Sequence, residues 1–521
     1  MKQRLLQLVS SLLVLSILAC TNLNAQSSSF NDIKKVKLRN MGPIIKDNVV
    51  QGYYMFYLYD KVSKGNRMYK LQLLDANLDK IATKTITAGK YLILQSASYN
   101  NEEIMLKFLD VKTKIVSFRR YDATGDYKGQ KTYTLENRYE LALFDQGDGD
   151  LENITLFPAD GNGFVDYHTT KGKKFGYEIN FYPSNSEIKS WKKAMDPNSK
   201  YTEAAMFLAA NDEMVVSTIA KRKNALSKDP EYFIQGLDIN TGKELFEKTL
   251  EDNKYALQVI SGFKNETTGN VEVTGFYYGK DDKTFKAASK GVFFFVLDNK
   301  GDPISRKYIS WKADVSKVLP SNDRGKLNDI GYMFFHRVIR TKDGKIFAIA
   351  EQYNKVADGM GIAAMALSSG DTGSATKLAV ENFYIFEFDK DFNLVDVEVV
   401  EKFKSSFSFP NAAYSFLSPQ IMAQVANTYG GFDYLFTQNY ADRPMFMVGY
   451  LDYERRKKEK NMIVFGAATH DGEEYTTDKI NLDTKKGEYI RVMQGKPGHI
   501  LISEYIAKEK RMEFRLEKIN F

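Results

Sequence analysis

Cysteine is almost absent, with Cys20 the only one in 521 residues. It falls inside an apolar N-terminal stretch, so a chain cut after Ala25 would carry no thiol, which excludes disulfides, zinc–thiolate sites and cysteine nucleophiles. A chain of this size does not need such staples, because a domain of several hundred residues buries roughly three quarters of its unfolded surface. Tryptophan is nearly as scarce: Trp191 and Trp311 are the only two, which excludes WD repeats and counts against a dedicated sugar platform of stacked indoles. The four histidines, His168, His336, His470 and His499, form no His-Glu-x-x-His motif and no metal-pair spacing. No Gly-x-Ser-x-Gly nucleophile elbow occurs either. Proline is rare at 11 residues, and beyond Ala19 no apolar run approaches the roughly 20 residues of a membrane-spanning helix. Charge of neither sign dominates: 73 basic and 66 acidic residues are intermixed. The concentrated basic stripe of a nucleic-acid-binding protein is missing, and the densest run, residues 454–460, reads as a solvated hairpin tip.

What is abundant is aromatic and strand-forming. Tyrosine and phenylalanine number 32 and 35, and together with the lack of long helical periodicity they favour β-structure. The N-terminus stands apart. Lys2 and Arg4 precede an uncharged apolar segment over residues 5–19, the pattern of a signal peptide rather than a spanning helix. Two cleavage sites compete. Ala25 offers a small residue before Gln26, whereas Ile17-Leu18-Ala19-Cys20 resembles a lipobox that would leave a lipid-modified Cys20. The sequence therefore predicts a signal peptide over residues 1–25 and an exported mature chain over 26–521, periplasmic or extracellular, with an outer-membrane lipoprotein as the alternative. Loss of Lys2 and Arg4 takes the net charge from +7 to +5.

Aligning turn residues exposes a repeat. One family of flexible polar pairs precedes alternating apolar runs: Asp47-Asn48, Asn100-Asn101, Asp160-Gly161-Asn162-Gly163, Asn211-Asp212, Gly269-Asn270, Asp343-Gly344, Gly430-Gly431 and Pro497-Gly498. Most of these residues accept positive φ cheaply, as tight hairpins require. A second family follows, an apolar residue and usually an Asp before a polar turn, at Asp75, Asp122, Pro183, Asp238, Asp298 and Asp389, with a degraded copy at Asp471. The Asp side chain can accept hydrogen bonds from the turn amides. Each module then holds four antiparallel strands, a to d, and such sheets repeated radially make a propeller. Eight a–b turns predict an all-β, eight-bladed β-propeller over residues 26–521. Seven blades, or a less favoured pair of tandem β-sandwich domains, are the alternatives. The last module runs out of chain before its fourth strand, so a spare N-terminal strand over residues 32–38 is expected to close the last blade and cover its edge.

In such a blade the a–b and c–d turns share one face and the b–c loops and d-to-a crossovers the other. Here the first set is tight and the second long, over residues 221–231, 279–290, 312–330, 354–377, 403–418 and the acidic crossover 145–153. Long loops on a rigid scaffold commonly carry binding residues. On that open face the pattern places Glu351, Tyr353 and Glu504 near the ends of strands b, together with Tyr440, Asp442 and Arg443. His336 falls on an innermost strand, where it would line the central channel, whereas His470 and His499 sit beside tight turns and are expected to be solvated. Asp145, Asp148 and Asp150 form a Gly-flexed acidic loop that would suit a calcium ion, the one cofactor suggested, although its spacing is not that of an EF-hand. The plainer reading is a solvated acidic turn without cofactor.

The Asn24-Ala25-Gln26 junction, the Lys-rich segment Ile33-Lys34-Lys35-Val36-Lys37-Leu38 and the Leu-Asp-x-Asn turns resemble an uncharacterised family of exported bacterial proteins of unknown function. That resemblance implies no activity. Two functions are compatible with the sequence: a non-catalytic binding or scaffold module for a protein or glycan at the cell envelope, or a secreted hydrolase acting on glycans with carboxylates at the channel mouth. Convergent acids in the channel would favour the second, and an apolar or aromatic patch the first.

Overall fold

The computed structural model describes residues 26–519, apart from 47, 137–139, 142–154, 160, 224–229, 251–252, 266–267, 285–286, 320–331, 368–373, 410–411, 441, 455–461 and 483–487. Eight antiparallel sheets follow one another around a ring, each with its strands in the order a-b-c-d. Blade 1 covers residues 35–89, blade 2 92–134, blade 3 156–194, blade 4 202–249, blade 5 255–310, blade 6 332–408, blade 7 434–481 and blade 8 488–518. Blade 6 carries an additional short strand, Ser405–Ser408, paired beside strand d on strand c. The eight-bladed reading holds, and the seven-bladed and tandem-sandwich alternatives fall with it.

The turn chemistry is what the sequence demands. Asp75 Oδ1 accepts from the amides of Asn77 and Asp79 at 2.8 Å each, and Asp122, Asp238, Asp298, Asp389 and Asp471 repeat the device. Asn48 and Asn101 take positive φ at their a–b turns.

Packing lies between blades rather than within them. Each apolar cluster joins neighbouring blades: Phe293 and Phe295 of blade 5 meet Val216 and Ile234 of blade 4, while Phe294 turns the other way, towards Phe388 of blade 6. A strand flanked on both sides by other sheets buries both of its faces. This is why Phe293-Phe294-Phe295 form an unbroken apolar run, whereas an outermost strand such as Lys80–Gly89 is largely exposed. Without disulfides, adjacent blades are also cross-linked by ion pairs, Lys107 to Asp166 between blades 2 and 3 and Arg340 to Glu272 between blades 6 and 5.

Two sequence expectations need correction. The strand that closes blade 8 is Ser27–Phe30, paired with Arg511–Lys518 from Ser27 opposite Arg515 to Phe30 opposite Met512, and not residues 32–38. Lys35 instead begins the innermost strand of blade 1, because its alternating apolar residues are needed there to pack against blade 8, where Val36 and Leu38 lie. The Gly430-Gly431 pair is likewise not an a–b turn. It terminates a helix, Pro419–Thr428, capped by Ser418 and inserted in the crossover to blade 7.

Candidate functional site

Innermost strands carry a recurrent irregularity. In blades 2, 4, 5, 6 and 7 strand a holds one residue more than its partner strand, at Gln95, Leu208, Ile260, His336 and Leu435. Such bulges bend the strand and re-aim a side chain. In blade 6 the extra residue is His336, between the pairs Phe335–Ala350 and Arg337–Ile349.

His336 faces a cavity of about 580 Å³ at the mouth of the central channel. The wall comes from the first residues of strands a in blades 4 to 7 (Ala204, Gln258, Phe334, Tyr434), from the ends of strands b (Ala220, Tyr278, Tyr353), and from Trp311, Gln420 and Gln424 in the crossovers. These all belong to the long-loop face singled out by the sequence. The helix Pro419–Thr428 roofs one side, and Gln420 Nε2 donates to the carbonyl of Ala287 across the opening at 2.6 Å.

Aromatic rings organise the interior. His336 stacks on Tyr434 with centroids 4.5 Å apart and 8° between planes, and Phe334 stacks on Phe432 at 4.6 Å. Tyr353 stacks on Tyr332, and burial pushes its phenol well above the ordinary value. The lining contains no Asp, Glu, Lys or Arg among the described residues.

Charge is present, but behind the wall. His336 Nε2 lies 2.9 Å from Glu351 Oε2. Glu351 also accepts from the backbone amides of Asp433 and Tyr434 and lies 3.4 Å from Lys402 Nζ. Lys402 in turn pairs with Asp433 at 2.6 Å, and the Ser405 hydroxyl donates to the same carboxylate. The side chains of Lys402 and Glu351 are fully buried. Burial pushes the Asp433 carboxyl up, opposed by the adjacent Lys402 and reinforced by Glu351. This closed network bolts blade 6 to blade 7 and holds the histidine against the cavity.

Three predicted residues, His336, Glu351 and Tyr353, are thus brought together. The others are not. Tyr440, Asp442 and Arg443 lie in the a–b turn of blade 7, between Tyr434–Asn439 and Phe446–Glu454, on the opposite face; reading Gly430-Gly431 as that turn displaced them. Tyr440 is buried and its phenol is pushed up to about 12 by burial, while Asp442 and Arg443 form an exposed pair. Glu504 sits half-buried in strand b of blade 8, outside the cavity lining. His470, expected to be solvated, is buried against Phe347, Phe446 and Tyr475, and that burial lowers its pKa. Asp145, Asp148 and Asp150 lie outside the described residues, and among those described no group of three metal-ligating side chains occurs. Lys402, Asp433, Ser405 and Tyr434 were not singled out by the sequence, since no motif links a crossover lysine to residues of the next blade.

No helix among the described residues is long and apolar enough to cross a membrane. Several solved structures are similar in architecture. Prolyl oligopeptidase B from Galerina marginata matches at 8% identity and a TM-score of 0.42, covering 93% of this chain and 55% of that one, so this chain spans about half its length. BamB from Moraxella catarrhalis matches at 10% identity and 0.35, covering 94% and 98%, and TolB from Acinetobacter baumannii at 9% and 0.29, covering 89% and 80%. These are likenesses of fold. No curated protein matches in sequence. The model of a family of unknown function, DUF6770, matches residues 1–520, and the chain belongs to that family.

Proposed function

We propose that the chain is a non-catalytic binding module of the cell envelope, which receives a segment of a protein or glycan in the cavity between blades 4 and 7. The observation that carries this reading is the lining: aromatic and amide side chains around about 580 Å³, with no carboxylate among the described residues. Ligand sites of this kind are concave and largely apolar, with a few placed polar groups. Gln258, Gln424 and His336 supply those groups here. A glycan hydrolase would need two carboxyl groups flanking its substrate. Glu351, behind His336, is committed to that histidine, Lys402 and two backbone amides.

Trp311 provides the test. It lines the cavity, whereas Trp191, in the outermost strand of blade 3, is absent from the lining and gives a constant background. Titration of the purified protein with peptide and glycan libraries should identify a ligand that shifts Trp311 emission and raises the melting temperature, and Ala204→Trp, which fills the exposed edge of the cavity, should abolish both effects. A ligand that raises melting equally in Ala204→Trp, or libraries that leave emission and melting unchanged, would sink the proposal.

A further inference from the structure

A second cavity, of about 400 Å³, lies on the same face between blades 1 and 2. Its composition is opposite to that of the first. Lys35, Lys37, Arg67 and Lys90 all line it, and no Asp or Glu does among the described residues. Two nearby carboxylates are engaged elsewhere: Asp60 pairs with Lys34, and Asp110 accepts from the amides of Lys112 and Thr113.

The backbone has been reshaped to make this site. Between the pairs Val36–Tyr57 and Met41–Met55, strand a of blade 1 carries residues 37–40 opposite Phe56 alone, a much larger excursion than the single-residue bulges elsewhere. Arg491 of blade 8 fastens both ends of it, donating to the carbonyls of Leu38 and Met41 at 2.6 and 2.8 Å. The excursion delivers Lys37 and Asn40 to the cavity. Asn40 is only 8% exposed, yet its Oδ1 has no hydrogen-bond partner among the described residues. A buried acceptor left unsatisfied is costly, and the donor it lacks can come from a ligand. At the rim, the Tyr91 ring is 43% exposed, with Lys90 Nζ 4.7 Å from its centroid.

We infer that this cavity binds an acidic saccharide unit. The lysines and Arg67 would take its carboxylate, Asn40 Oδ1 a ring hydroxyl, and Tyr91 the apolar face of the sugar. A simple oxyanion satisfies only the first of these demands. The inference is independent of the reading of the larger cavity.

Isothermal titration of the purified protein with trigalacturonate, the neutral galactose trisaccharide and inorganic phosphate tests it. Trigalacturonate should bind, weakening as salt rises, while the neutral sugar should not. The double variant Lys35→Gln, Lys90→Gln changes two exposed side chains and should leave melting unchanged while weakening trigalacturonate at least tenfold. Asn40→Leu should weaken trigalacturonate several-fold and leave phosphate unaltered. The inference is overturned if trigalacturonate does not bind, if the double variant binds it undiminished, or if phosphate binds as tightly. It is equally overturned if Ala204→Trp abolishes trigalacturonate binding, because the ligand would then occupy the other cavity.

Discussion

Lys402→Met removes the one cation that, among the described residues, is shared by two buried carboxylates, Glu351 and Asp433. Breaking a buried pair by deleting one partner typically costs about 3–5 kcal/mol, because the remaining charge is left uncompensated. Glu351 keeps His336 and two backbone amides, and Asp433 keeps Ser405. That softens the loss without cancelling it, and about 3 kcal/mol is the expected value at pH 7. The penalty must depend on pH. Without the ammonium, burial holds the Asp433 carboxyl still further above the value near 3.8 of an Asp in the unfolded chain. A raised folded pKa means stability is lost as pH rises through that interval, so the variant recovers as pH falls from 7 towards 5. Urea denaturation at both pH values, with circular dichroism and Trp311 emission as separate probes, measures the effect. The triple variant Lys402→Met, Glu351→Gln, Asp433→Asn should regain most of the loss. A penalty below about 1 kcal/mol at pH 7, or one that is the same at both pH values, would refute the view that Lys402 neutralises this pair.

Deleting residues 26–30 should destabilise the ring by about 2–6 kcal/mol, from four paired residues at roughly 0.5–1.5 kcal/mol per backbone bond; size-exclusion chromatography should show association through the bared edge of Arg511–Lys518. His470 accepts from the amide of Gly472 through Nδ1 and is held neutral by burial, so wild-type stability should fall as pH drops below 6.5, and His470→Leu should flatten that part of a melting-temperature profile. Two glycines separate strain from crowding. Gly161→Ala, at φ +73° in open space, should cost about 1 kcal/mol, whereas Gly242→Ala, at φ +68° with its new methyl 2.5 Å from the Trp191 ring, should cost about 2–3 kcal/mol by chemical denaturation.

The propeller was legible because its turns are local. An Asp that accepts from amides two and four residues ahead leaves a mark in the sequence, and so does a residue tolerant of positive φ. What escaped was decided at a distance. Ser27-Ser28-Ser29-Phe30 has the composition of a linker and becomes a strand only through the edge of Arg511–Lys518. The bulge at His336 is a property of two strands in register, so the histidine could be assigned to an inner strand but not aimed. Lys402 pairs across blades with Asp433, and neither residue has a sequence neighbour that announces it. Gly430-Gly431 looks like a hairpin turn because a helix end and a tight turn both favour glycine.

The pairing of Ser28 with Phe514 also sets an order of events. Residues that open the ring are matched to residues of its eighth blade, so the circle stays open until all of the chain between them has been made. Blades 1 to 7 can each form hairpins from nearby residues, but the seam demands a contact spanning the whole ring, the type that slows folding most. Until it forms, one sheet edge is bare at the last blade, and a waiting chain is open to pairing with another of its kind.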